Sequence, residues 1–161
     1  AYQLNTASNE YELVKAFITF DASGKILEEL NKDGMRVSYV WGYHSTKLIA
    51  KLVGIGYTTM TANQLSAIED AIAASDADVD HCTASTCTEE LLRVALRALM
   101  EEFSPYHVQG FTHDPLVGVT GILDSNGRQM TYQYDGFGRP IQVRDDEGNV
   151  VTKHEYILQG N

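Results

Sequence analysis

Asp124-Ser125-Asn126-Gly127, Asp135-Gly136-Phe137-Gly138 and Asp145-Asp146-Glu147-Gly148 follow one another at intervals of eleven and ten residues, and the fold turns on this stretch. The Asp at the first place of each tetrad can accept from the backbone two residues on. The Gly at the fourth tolerates the positive φ that closes the reversal. The interval holds one short strand and one turn, which is strand spacing rather than helix spacing. The same tetrad, with Asp or Asn first, stands at Asp21-Ala22-Ser23-Gly24 and Asn31-Lys32-Asp33-Gly34, again ten apart. A turn repeated in this way predicts an architecture built of strand repeats.

Two copies superpose without a gap. Five residues separate Gly34 from Tyr39 and seven separate it from Trp41; the same steps lead from Gly127 to Tyr132 and Tyr134. Residues at i and i+2 share a face of a strand, so each copy sets an aromatic pair on one side of a sheet.

The chain of 161 residues is one domain's worth, able to bury about two thirds of its unfolded surface. Hydrophobic residues at 43% and charged residues at 21% are ordinary for a globular protein. No apolar run approaches the ~20 residues of a membrane span, so a soluble chain without membrane insertion is expected. Ala1 to Phe20 lacks the basic start and apolar block of a signal peptide. The net charge is −10. Between Thr61 and Ser104 nine acids face only Arg93 and Arg97, a local charge of −7. A surface of that sign repels phosphate backbones and anionic lipid, which argues against a nucleic-acid partner.

The acidic stretch is also a compositional island. Gly is absent from Tyr57 to Gln109 and Tyr from Thr58 to Pro105, although the chain holds thirteen Gly and nine Tyr. A helical insert over 58–104 is predicted between strand repeats at 11–57 and 105–158, within a single domain 1–161. Thr61-Ala62-Asn63-Gln64 reads as a capping box opening a helix to about residue 74, with Leu65, Ile68, Ala71 and Ile72 on its stripe. A second helix opens at Thr86 or Thr88 with Glu89 and Glu90 in its first turn and carries Leu91, Leu92, Ala95, Leu96, Leu99 and Phe103 to a stop before Pro105. Of these, Leu91, Leu96 and Leu99 are expected to pack on the sheet. Nine strands are expected around the pair: 12–19, 25–30, 35–41, 47–53, 106–112, 116–123, 128–134, 139–144 and 149–158. The fold class is α+β: an antiparallel meander with an inserted two-helix hairpin packed on the sheet. Its first and last strands are expected to pair with each other, with another copy, or to lie under a loop.

Candidate chemistry is sparse. Asp76, Asp78 and Asp80 have the opening spacing of a calcium loop, but His81 and Cys87 stand where that loop needs Gly and a bidentate Glu, so a solvated acidic loop is expected. Cys82 and Cys87 could close a small disulfide ring in an oxidising compartment or remain thiols in a reducing one. With His81 they supply at most three zinc ligands, and no metal is expected. Of His44, His81, His107, His113 and His154, only His113 neighbours an acid, Asp114, which precedes Pro115 and reads as a turn residue. No nucleophile elbow, phosphate loop or zinc-protease string occurs. Neither catalysis nor a cofactor is expected. Trp41, Tyr43, Tyr132 and Tyr134 are the ligand-binding candidates, since flat aromatic faces stack on sugars; at strand spacing the commoner explanation is a sheet face, buried or half-buried.

Pro115-Leu116-Val117-Gly118-Val119-Thr120, the three tetrads above and above all Tyr132-Gln133-Tyr134-Asp135-Gly136-Phe137-Gly138-Arg139 resemble a C-terminal segment of the Rhs/YD-repeat family. Ser38-Tyr39-Val40-Trp41-Gly42-Tyr43 and Ile49-Ala50-Lys51 resemble the less regular repeat of Bacteroides-type members. The resemblance implies β-strand repeats in very large cell-surface or secreted polypeptides, contacting neighbouring repeats and either carbohydrate or another protein. It implies no catalysis by the repeats, and no toxin domain is expected before Asn161. The function expected is that of a non-enzymatic scaffold or interaction module, the alternative being a carbohydrate-binding module.

Overall fold

The computed structural model describes residues 2–5, 10–79 and 86–156. Eleven strands and two α-helices are assigned among them. β1 (Tyr2–Asn5) and β2 (Glu10–Leu13) form a two-stranded antiparallel sheet. The remaining strands form one nine-stranded sheet in the order of the sequence. They are β3 (Lys15–Phe20), β4 (Ile26–Asn31), β5 (Arg36–Gly42), β6 (Lys47–Val53), β7 (His107–Asp114), β8 (Gly118–Leu123), β9 (Gln129–Tyr134), β10 (Pro140–Arg144) and β11 (Val150–Lys153).

Every neighbouring pair is antiparallel. β6 pairs with β7 across the entire helical insert, Ala50 opposite Gly110 and Leu52 opposite Val108. The insert therefore takes the place of one turn without disturbing the strand order. The two ends of the meander, β3 and β11, lie at opposite edges of the sheet and do not pair with each other. Of the three alternatives expected, pairing with each other fails, because sequential hairpins add each strand to the growing edge and carry the ends apart.

All five tetrads form the same closed turn. In the first, Gly24 N donates to Asp21 O at 3.1 Å and Asp21 N to Lys25 O at 2.9 Å. Asp21 Oδ1 collects the amides of Ser23 and Lys25, each at 2.8 Å. Asn31, Asp124, Asp135 and Asp145 do the same for their own turns. The fourth-place glycines have φ between 72° and 84°, the left-handed region that closes the turn.

α1 (Ala62–Asp76) opens on the expected capping box: Thr61 Oγ1 accepts from Gln64 N at 3.2 Å, and Gln64 Oε1 from Thr61 N at 3.0 Å. Gln64 also donates to Glu102 O at 3.2 Å, tying the start of α1 to the end of α2 (Thr88–Glu102). The N-cap of α2 is Cys87, while the Thr88 hydroxyl turns back to Asp78 and Val79.

The hairpin covers the middle of the sheet. Ile68, Ala71, Leu92, Leu96, Leu99 and Phe103 pack on Val40, Ala50, Leu52, Val108 and Leu123. Leu92, Leu96, Leu99 and Phe103 recur at i, i+4, i+7 and i+11, one face of a helix. Leu91, expected on the sheet, is 52% exposed, and Leu65 is also exposed. One residue on a helix is about 100° of rotation, so Leu91 belongs to a second stripe facing away from the sheet.

Candidate functional site

Where α2 begins, the sheet runs on past the helices and leaves a groove of about 670 Å³. Its floor is Glu89, Arg93 and Thr120, its walls include Tyr132, Tyr134 and Ile141, and Asp114, Asp135 and Arg144 lie at its rim. Glu89 and Arg93 sit one helical turn apart and are 1% and 2% exposed. Glu89 Oε1 accepts from Arg93 Nη2 at 2.7 Å, from Thr120 Oγ1 at 2.5 Å and from Thr112 Oγ1 at 2.9 Å. The two threonines come from β8 and β7, so one carboxylate fastens the first turn of α2 to two strands. A Cβ at Gly121 would stand 2.6 Å from Thr112 Oγ1; only glycine admits that hydroxyl. Arg93 continues to Glu90 at 3.0 Å, and Glu90 to Arg97, which reaches Gln129 Oε1 at 2.7 Å.

The wall is held by the repeat's own residues. Asp135 accepts from Arg139 Nε at 2.8 Å and lies 2.7 Å from its Nη2, a two-pronged pair. The Arg139 amide, helped by the Arg139 guanidinium and the Phe137 amide, holds the Asp135 carboxyl below the ordinary carboxylate value against the opposing effect of burial. The Arg139 guanidinium stacks over the Tyr156 ring at 4.3 Å and over Phe137 at 5.2 Å. The Tyr134 hydroxyl donates to Val119 O at 2.7 Å, and burial, with Tyr132 nearby, raises its pKa.

The four aromatic candidates are not gathered at one place. Tyr132 and Tyr134 line the groove. Trp41 stands on β5, four strand spacings from β9 or roughly 19 Å, donating from Nε1 to Ile26 O at 2.9 Å with Lys25 over its ring. Tyr43 is 5% exposed and belongs to the core, which removes it as a ligand residue. Its hydroxyl donates to Asp78 Oδ2 at 2.7 Å and accepts from His113 N at 2.8 Å. Burial, then the hydrogen bond to Asp78, raises its pKa.

Tyr43, His44 and Ser45 all have positive φ, a left-handed turn held by the end of α1. Tyr43 N donates to Ser75 Oγ at 3.2 Å and His44 N to Asp76 Oδ1 at 2.6 Å. Asp76 and Asp78 are thereby not the solvated loop that their spacing suggested. Asp76 ends α1, and Asp78 is buried between Tyr43 and Thr88. Asp80, His81 and Cys82 lie outside the described residues; Cys87 is buried at the head of α2. Asp114 is a turn residue, accepting from Leu116 N at 2.8 Å. The His113 ring packs edge-on to Tyr43 and bonds Leu48 O at 2.8 Å, and His107 meets Ser125 at 2.9 Å. The His44 side chain is exposed.

Sequence reasoning missed the Glu89–Arg93–Thr112–Thr120 cluster. Glu and Arg at i and i+4 of a helix are visible in the string, but that spacing is usually a solvent-facing pair. Only the pairing of β7 with β8 brings the two hydroxyls beneath it.

The family described as RHS Repeat matches residues 117–150, which run from just before β8 to the first residue of β11 and supply most of the groove's lining. No curated protein matches the chain. Over that stretch the chain is similar to an RHS repeat.

Proposed function

We propose that this chain is a non-enzymatic repeat module of a large bacterial cell-surface or secreted protein, acting as scaffold and interaction surface. The observation that carries the reading is the openness of the sheet. Among the described residues β3 and β11 each pair on one side only, and each outer edge offers a row of backbone donors and acceptors. Phe17, Ile18 and Phe20 on β3 and Val150 and Val151 on β11 are about half exposed, an apolar surface suited to a continuing sheet. The motif residues Asp135, Gly138 and Arg139 are spent on the turn itself, which favours a structural role for the repeat over chemistry.

The test is amide hydrogen exchange on this chain alone and on a longer stretch of the parent protein that includes the repeats on either side. Slowing of the β3 and β11 amides by tenfold or more in the longer protein is expected, and equal rates in both would refute edge-to-edge continuation.

A carbohydrate-binding role is the second reading, favoured by one observation: both Tyr132 and Tyr134 line the groove, beside Gln133, Asp135 and Arg144. A glycan array tests it. Specific hits that disappear in Tyr132→Ala would support sugar binding, and an array with no hit would leave the scaffold role alone.

A further inference from the structure

Turning Leu91 away from the sheet leaves a second apolar stripe on α2, formed with Val94, Ala95 and Ala98 at i, i+3, i+4 and i+7. Leu91 is 52% and Val94 54% exposed. Across from them α1 presents Ser66 and Ala67, and the two helices enclose a groove of about 510 Å³ on the face away from the sheet. Leu and Val flank a floor of small residues here, so a third backbone can approach to the ~8–10 Å of ordinary helix packing. Each helix has 15 residues, so the groove has room for a partner helix of about 22 Å, or four turns.

The charge around this groove selects the partner. Asp70, Glu101 and Glu102 line it, all exposed. The only two bases of the hairpin are committed elsewhere: Arg93 is buried with Glu89 and Glu90, and Arg97 bonds Glu90 and Gln129. An apolar channel with an acidic rim fits an apolar stripe flanked by Lys or Arg. A second copy of the hairpin would set acid against acid.

We propose that the outer face of the α1–α2 hairpin is a docking groove for a cationic amphipathic helix of a partner protein. The apolar floor supplies the contact and the acidic rim supplies its orientation and rate of encounter.

The probe is a synthetic helical peptide of about 18 residues, long enough to span the groove, with Leu at i, i+3, i+4 and i+7 and Lys flanking the stripe. A control keeps the Leu pattern and replaces Lys by Glu. Calorimetric titration into the intact chain is expected to show binding of the Lys peptide only. Raising salt from about 50 to about 500 mM should weaken it. Leu91→Ser with Val94→Ser should weaken it tenfold or more. Both side chains are exposed, so these variants keep the fold, checked by an unchanged circular dichroism melt. Glu101→Gln with Glu102→Gln should weaken binding while leaving the apolar floor intact.

Absence of binding by the Lys peptide, equal binding by the Glu peptide, or binding indifferent to Leu91→Ser and Val94→Ser would overturn the proposal. Sedimentation showing a dimer that those two substitutions dissociate would also overturn it, in favour of a second copy as occupant.

Discussion

Gly42 and Ser75 claim the same space: a Cβ on Gly42 would stand 2.0 Å from Ser75 Oγ and 2.9 Å from Ser75 Cβ. Ser75 is fully buried, donating to Ile72 O at 2.7 Å and accepting from Tyr43 N at 3.2 Å. The end of α1 therefore rests on the bare backbone of β5, and the neighbouring Ile49 Cγ2, 2.8 Å from the same point, leaves no way out sideways. Gly42→Ala should lower stability by about 1–3 kcal/mol, as overpacking does. Gly42→Ala with Ser75→Ala removes the clashing hydroxyl and should recover part of that loss. Urea denaturation midpoints decide it; equal midpoints for Gly42→Ala and the parent would show that α1 shifts freely.

Gly127 and Gly136 separate backbone conformation from packing. A Cβ at either meets nothing within 4 Å, but Gly127 has φ of 77°, whereas Gly136 is not among the positive-φ glycines. Gly127→Ala should cost about 1 kcal/mol, and Gly136→Ala should stay within about ±0.5 kcal/mol. Thermal melts of the two variants side by side check the difference.

These glycines also mark what the string of residues discloses. The Asp-x-x-Gly tetrad is local: one carboxylate, four amides and one positive φ within five residues, so each turn and the order of the strands between them is legible. The insert is legible too, because Thr61 and Gln64 cap each other over three residues and Gly is excluded from both helices. What is not legible depends on rotation and on distant partners. Leu91 and Leu92 differ by about 100° on a helix, and only the position of the sheet decides which of them is core. Tyr43 looks like a strand aromatic, yet Asp78 and His113, 35 and 70 residues away, draw it inward. The Glu89 cluster needs hydroxyls from two strands that follow it in the chain.

Leu96 and Leu91 test that rotation. Leu96 is fully buried among core residues, and Leu91 is half exposed. Leu96→Ala should destabilise by about 2–5 kcal/mol, while Leu91→Ala should change stability by less than about 1 kcal/mol. Chemical denaturation of each variant measures this, and similar losses at both positions would mean that α2 is rotated from the orientation described.

His113 gives the pH dependence a definite sign. Burial lowers its pKa below 6.5, and the Lys47 charge acts the same way, against the opposing hydrogen bond to Leu48 O. The unfolded chain therefore takes up a proton first as the pH falls. The contribution of His113 to stability is complete above pH 6.5 and is lost as the pH drops from there through the lower, folded-state value. His113→Gln should flatten the denaturation midpoint against pH below about 6.5. A parent protein whose midpoint rises on acidification from pH 7 to 5.5 would contradict the assignment.

The buried pair beneath the groove yields an unequal response to three substitutions. Arg93→Met leaves the Glu89 carboxylate, 1% exposed, with the Thr112 and Thr120 hydroxyls but without the guanidinium 2.7 Å away, and should cost about 3–5 kcal/mol. Glu89→Gln keeps an oxygen for the two threonines and removes the charge, so it should cost less. Combining Glu89→Gln with Arg93→Met removes both charges together. The double variant should therefore be more stable than Arg93→Met alone, by about 1 kcal/mol or more, because burying a carboxylate that has lost its guanidinium is worse than burying a neutral amide. Additive losses in the double-mutant cycle would mean that the two side chains act independently and that α2 is fastened to β7 and β8 by the threonine hydroxyls alone.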